Sequence, residues 1–174
     1  MKKILIVVLW TWSTLAHAQQ LETVLQQGHE LGIAALATND DSTLLATGSK
    51  DKTIKLWQLQ NTRELRTLFG HEKSVTALAF VPQKKLLVSG SNDATIRLWD
   101  LLSGKELNRF ALPDIISSVV IHPSGSYVVA AGYANDAYVL SLPDFKLIKK
   151  FEVNADKGNG SGIDLAFSPD GKLL

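Results

Sequence analysis

Short apolar runs of about five residues, each closed by a polar turn, follow one another along this chain from residue 33 onward. Val75 to Phe80 (VTALAF) alternates small and large apolar residues and predicts a strand. The stretch 81–85 (VPQKK) is a turn fixed by Pro82. Leu86 to Gly90 (LLVSG) predicts a largely buried strand, and 91–94 (SNDA) a tight polar turn. Thr95 to Trp99 (TIRLW) places Ile96 and Leu98 on one face of a third strand. Leu102-Ser103-Gly104 turns the chain again, and Lys105 to Phe110 predicts a fourth, more polar strand. The same four-strand pattern recurs before it, at Ile33–Leu36, Leu44–Thr47, Thr53–Trp57 and Glu64–Phe69. It recurs after it at Ser118–Ile121, Tyr127–Ala130, Ala137–Leu140 and Leu147–Phe151. Beyond residue 18 no run of ten or more residues has helical periodicity. Strands this short without helices rule out a parallel α/β sheet. They predict one small antiparallel sheet per unit, marginal alone and stacked on its neighbours.

The units share a period. His29 to His71 is 42 residues and Trp57 to Trp99 is 42; Phe80 to Ile121 is 41, and Ile121 to Phe167 is 46. The longer last interval carries a Gly/Asn-rich insertion, 154–162 (NADKGNGSG). These spacings divide the chain into a leading strand at 19–27, units at 28–69, 70–110 and 111–151, and the start of a fourth at 152–174.

Unit one carries Gly28-His29 and then LLATGSKDKTIKLW; unit two carries Gly70-His71 and then LLVSGSNDATIRLWD. In these signatures the chain resembles the WD40 repeat family, and in LAFSPDGKLL (Leu165 to Leu174) it resembles the family's first strand, turn and start of the second strand. The resemblance implies an all-β β-propeller of WD40 type, with about three and a half four-stranded blades of a ring that usually has seven. It also implies a structural tetrad in each blade. The matching residues are His29, Thr47, Asp51 and Trp57 in unit one, and His71, Ser89, Asp93 and Trp99 in unit two. The residue types suit such a role. An Asp in a tight turn binds the turn's own amides and orients an imidazole, and a buried Trp N–H requires an acceptor. In the family the first strand commonly completes the last blade. Leu21 to Gln26 is therefore expected to be an outer strand whose partners, like the rest of unit four, belong to missing C-terminal blades of the same polypeptide; the chain is expected to be a fragment.

Rival chemistry fits less well. His71, Asp93 and Ser89 are the three types of a hydrolase triad, yet the set recurs one period earlier, as a scaffold requires and a single active site does not. No G-x-S-x-G elbow, phosphate-binding loop or Rossmann glycine pattern is present, and His29 and His71 lack a compact set of co-ligands. The expectation is no enzyme, no metal and no cofactor. Unit three departs from the pattern. Leu112-Pro113 stands for Gly-His, Leu140 for Trp, and Asp136 is the candidate acid of its tight turn; His122 falls in a turn. Packing of Val120, Val128, Ala130 and Leu140 is expected to replace the tetrad, and Tyr133, Asn135 and Tyr138 mark a rim that could have specialised for a partner.

The first 18 residues change the compartment. Met1-Lys2-Lys3 is basic, Ile4 to Trp12 is uncharged and mostly apolar, and Ala16-His17-Ala18 is a small-x-small cleavage signal. This layout predicts a signal peptide cleaved before Gln19, with no membrane anchor afterwards and a bacterial periplasm, or the medium, as destination. The chain has 18 Lys+Arg against 17 Asp+Glu and no Cys. Without Lys2 and Lys3 the balance is 16 against 17, which offers no broad basic field to nucleic acid. The function expected is a non-catalytic scaffold for protein partners outside the cytoplasm; the alternative is an accessory propeller of a larger enzyme or sensor. Loops on a rigid scaffold carry recognition, and Lys50, Lys73, Asn92 and Tyr133 are the candidate rim residues.

Overall fold

A computed structural model describes residues 28–133, 136–152 and 164–174. Its strands are β1 (Ile33–Thr38), β2 (Leu44–Ser49), β3 (Ile54–Gln58), β4 (Arg63–Leu68), β5 (Val75–Phe80), β6 (Leu86–Ser91), β7 (Thr95–Asp100), β8 (Glu106–Ala111), β9 (Ile116–Ile121), β10 (Tyr127–Gly132), β11 (Asp136–Ser141) and β12 (Leu147–Glu152). They form three four-stranded antiparallel sheets, β1 to β4, β5 to β8 and β9 to β12, each ordered as in the sequence. The protein is therefore all-β, one sheet per repeat. Strand limits fall within two residues of those the apolar pattern predicts. β9 begins two residues early, at Ile116, because pairing continues through an irregularity to Gly132. The leading strand at Leu21–Gln26, Asn135 and the insertion at 154–162 lie outside the described residues.

One turn joins the first and second strands of every repeat. Val81 N–H donates to Leu86 O (3.0 Å) and Lys84 N–H to Val81 O (3.1 Å). The same pair of bonds recurs from Asn39 and Ser42, from His122 and Gly125, and from Ser168 and Gly171. Residues 164–174 thus build the turn of a fourth repeat, although none of them is in a strand. Leu165 and Phe167 pack on Val129, Ala131, Ala137 and Val139 of the third sheet. The Leu165 N–H also donates to Ser118 Oγ (3.2 Å).

Neighbouring sheets meet along β1, β5 and β9, the first strands of their repeats. Close approach there requires the absence of a side chain at Gly48 and Gly90. A Cβ on Gly90 would stand 2.5 Å from Ile116 Cγ2, and one on Gly48 2.7 Å from Val75 Cγ1. Ala46, Ile54, Leu56 and Leu68 of the first sheet enclose Val75, Leu78, Leu87 and Trp99 of the second. Val88, Ile96 and Leu98 of the second enclose Ile116, Val119, Val128 and Leu140 of the third. In the third sheet Val128, Ala130 and Leu140 face the second, and Val120 packs with Leu165 and Phe167 on the other side, because neighbouring strand residues alternate faces.

Among the described residues the first sheet has a face without this cover. Val75 and Leu78 are 0% and 8% exposed, while their counterparts one repeat earlier, Ile33 and Leu36, are 54% and 65% exposed. Trp57 is half-buried where Trp99 is buried.

Replacing Gly90 by Ala is expected to force the second and third sheets apart and to lower unfolding free energy by about 1–3 kcal/mol, the usual cost of overpacking. Urea unfolding of the variant checks this; an unchanged midpoint would show that the sheets do not meet as described.

Candidate interaction site and its polar support

The loops at one end of the sheets are held by polar side chains below them. Asp93 lies in the β6–β7 turn. Its Oδ1 accepts from Thr95 N (2.9 Å) and Thr95 Oγ1 (2.6 Å), and its Oδ2 from Glu72 N (3.0 Å). His71, in the link between β4 and β5, places Nδ1 2.8 Å from Asp93 Oδ2 and Nε2 2.7 Å from Ser89 Oγ. Trp99 Nε1–H donates to the same Ser89 Oγ at 2.8 Å. The proton directions follow from the two ends. An ionised carboxylate only accepts, so His71 Nδ1–H donates to it and Nε2 accepts the Ser89 hydroxyl proton; Ser89 in turn accepts from Trp99.

Unit one repeats the arrangement. His29 Nδ1 is 2.9 Å from Asp51 Oδ2, His29 Nε2 is 2.7 Å from Thr47 Oγ1, and Trp57 Nε1 is 2.9 Å from that hydroxyl. Asp51 accepts from Thr53 N, Thr53 Oγ1 and Glu30 N, as Asp93 does from their counterparts. All eight residues proposed from the repeat therefore lie in two connected chains, each within its own sheet and the link that enters it.

Electrostatics follow the burial. Burial pushes the Asp93 carboxyl up, but the Thr95 hydroxyl, the Glu72 amide and His71 outweigh it and hold the group well below its ordinary range. Asp51 is held low against burial in the same way by Thr53, His29 and the Glu30 amide. His71 is pushed down, because burial disfavours the imidazolium more than Asp93 favours it.

The pattern of residues understated this network. Arg97 is 3% exposed; its Nη1 donates to Glu106 Oε2 (2.9 Å), its Nε to Thr95 Oγ1 (3.1 Å), and its Nη2 lies 3.4 Å from Asp93 Oδ2. Lys55 takes the corresponding place in unit one, with Nζ 2.8 Å from Glu64 Oε2. The signal was available, since Thr53 and Thr95, Lys55 and Arg97, and Glu64 and Glu106 each recur at 42 residues.

In the third sheet Leu112, Ala130 and Leu140 are buried where the other sheets have His, Ser or Thr, and Trp. Asp136 is not in the turn as expected. It opens β11, where it aligns with Thr95; its Oδ2 accepts from Tyr138 Oη (3.2 Å) and pairs with Lys150 Nζ (2.8 Å). His122 lies in the β9–β10 turn, with Nδ1 2.7 Å from Ser124 Oγ and its ring stacked on Tyr127 at 4.5 Å.

The candidate rim residues share the end of the sheets supported by these chains. Lys50 follows β2, Asn92 follows β6 and Tyr133 follows β10, while Lys73 lies in the link into β5. Turn and link are tied together. Lys50 N–H donates to Gly32 O (3.0 Å) and Asn92 N–H to Ser74 O (2.9 Å). Lys50, Lys73 and Tyr133 are exposed, and Asn92 is half-buried. Among the described residues no group of three or more His, Asp or Glu side chains is placed to hold a metal ion, and no helix is long and apolar enough to cross a membrane.

Repeated four-stranded sheets whose incoming His is bonded to a turn Asp and a strand hydroxyl define a class of β-repeat scaffold. Comparison with known families gives the same result: residues 19–58 and 62–100 match the family "WD domain, G-beta repeat", so these two stretches are WD40 repeats. It is similar to the "Ribosome biogenesis protein WDR12 homolog" of Culex quinquefasciatus, 39% identical over 51 residues, 29% of this chain and 12% of that protein. It is also similar to the "Kinesin-like protein klp-12" of Caenorhabditis elegans, 45% identical over 42 residues, 24% of this chain and 2% of that protein. The matched stretches thus span a small part of both relatives.

Replacing Ser89 by Ala is expected to leave the Trp99 N–H and His71 Nε2 unpaired, at a cost of about 1–3 kcal/mol for each orphaned group. Stability also has a defined pH dependence. Because His71 is lowered from 6.5, the unfolded chain takes up its proton first, so the His71 contribution is intact above 6.5 and declines as pH falls below it. The Asp93 contribution, lowered from 3.8, is intact above that value and declines on further acidification. Urea midpoints from pH 7.5 to 5 are expected to fall in the wild type and to fall less in His71→Gln. Equal slopes in the two proteins would contradict the assignment.

Proposed function

We propose that the chain is part of an exported WD40 β-propeller that serves as a rigid, non-catalytic scaffold for a protein partner. The observation that carries this reading is the pairing of exposed Lys50 and Lys73 with loops pinned from below, with exposed Tyr133 at the same end of the third sheet. The two His-centred chains act as structural tetrads: they fix where the loops stand, and the loops present the recognition residues. The uncovered Ile33 and Leu36 face supports a larger ring, whose further blades in the same polypeptide cover it. In this reading 1–18 is the cleaved signal peptide, 19–27 completes the last blade, and 28–69, 70–110, 111–151 and 152–174 are successive blades. The ring usual for the family has seven blades, and the destination is the periplasm, or the medium.

A second reading is an accessory propeller of a larger enzyme or sensor. It is favoured by the small share of each relative that the matched stretch covers. The intact mass of the polypeptide produced in its own host separates the two: a ring's worth of repeats alone supports the scaffold, an added domain the accessory role.

Photo-reactive residues placed at 50, 73, 92 or 133 are expected to cross-link a protein in the host, while the same label at 124 or 144, at the opposite end of the sheets, yields none. Adducts confined to 124 and 144 would overturn the rim assignment. A mature protein beginning at Gln19 in the exported fraction is expected; retention of residues 1–18 in the cytoplasm would overturn the compartment.

A further inference from the structure

The third sheet has a small cavity, mostly apolar but with two carboxylates in its wall, where the first two have a filled joint. In those sheets a serine closes the space between the second strand and the incoming link. Ser49 Oγ donates to Leu31 O (3.1 Å), and Ser91 Oγ to Lys73 O (3.3 Å). The register places Gly132 at this position, opposite Ile116, as Ser91 is opposite Val75. Without a hydroxyl there, a void remains, lined by Leu112, Asp114, Ile116, Gly132, Asp136 and Tyr138, with about 10 Å³ for the centre of one water-sized group. Asp114 accepts from Ile115 N at Oδ1 (2.8 Å), but its Oδ2 is buried with no hydrogen-bond partner. A buried unpaired carboxylate oxygen is costly and calls for a donor. Asp136 does not compete for one, since its Oδ2 already holds Tyr138 and Lys150.

We propose that this void is a socket for a lysine side chain of the protein partner, an inference that rests on the rim reading above. Size and charge select the ammonium. It is about as large as a water molecule, carries a full charge for Asp114 Oδ2, and sits on a flexible stem that reaches past a rim. A guanidinium is planar and several times larger. A calcium ion requires six to eight oxygens, whereas the void offers one free carboxylate oxygen. The void lies at the rim end of the third sheet, where Asp114 and Asp136 are only half-buried.

The test uses the whole chain and small probes, so it does not depend on finding the partner. Backbone amide spectra are recorded during titration with Nα-acetyl-lysine methylamide, and separately with the norleucine compound, which has the same four-carbon stem without the ammonium. The Ile115 and Gly132 amides are expected to shift saturably with the lysine compound, and at least tenfold less at equal concentration with norleucine. Asp114→Asn is expected to abolish the shift, and Asp144→Asn, at the other end of the sheets, to preserve it. Should Asp114→Asn fail to fold, the comparison of probes on the wild type decides alone. Equal shifts with both probes, or none with either, would overturn the proposal and leave a socket for water only. Rim cross-linking that succeeds while the lysine probe fails would remove this socket and keep the scaffold.

Discussion

The Asp93 carboxylate is the fixed point from which the second sheet is organised. It is buried in a turn, and each of its oxygens is claimed by groups that also belong to something else. Thr95 starts a strand, Glu72 and His71 belong to the incoming link, and Arg97 reaches across to the outermost strand. His71 passes the constraint to Ser89 in the middle of the sheet, and Ser89 passes it to Trp99. Shifting any one element strands a polar group away from water, which costs as much as several ordinary surface contacts. The loop positions are therefore set by accounting for protons, while the sheets adhere through aliphatic side chains.

The third sheet separates these two contributions. It has the same strand order and the same turn at its far end, but Leu112, Ala130 and Leu140 replace the polar chain. Aliphatic packing is thus sufficient to form and stack a sheet. What differs is the rim. There Gly132 stands for serine, Asp136 pairs with a lysine on β12, and Asp114 keeps an oxygen to spare.

The strands could be read from the sequence because each is a short apolar alternation bounded by Pro, Gly or Asp. The spacing of 42 made the two His-centred groups visible as sets, since residue types that recur together are brought together by equivalent folds. It also carried Arg97 and Glu106, which are charged and so resemble surface residues until a partner is seen beside them. The direction of each proton was not legible, because it depends on which atoms meet. Asp136 was misplaced because an acid of the right type stands two positions after the one that matches Asp93, at the start of the strand. The Asp114 cavity depends on a side chain that is missing, and sequence patterns register what is present.

Each polar chain closes within one repeat, from His29 to Trp57 and from His71 to Trp99, whereas the bond between one sheet and the next is largely generic apolar contact. A gene segment encoding one unit therefore carries its own instructions for loop placement and asks of its neighbours only a greasy surface. Such segments can be duplicated in tandem, lost, or allowed to diverge one at a time, and the third unit has the character of a copy that has exercised this freedom.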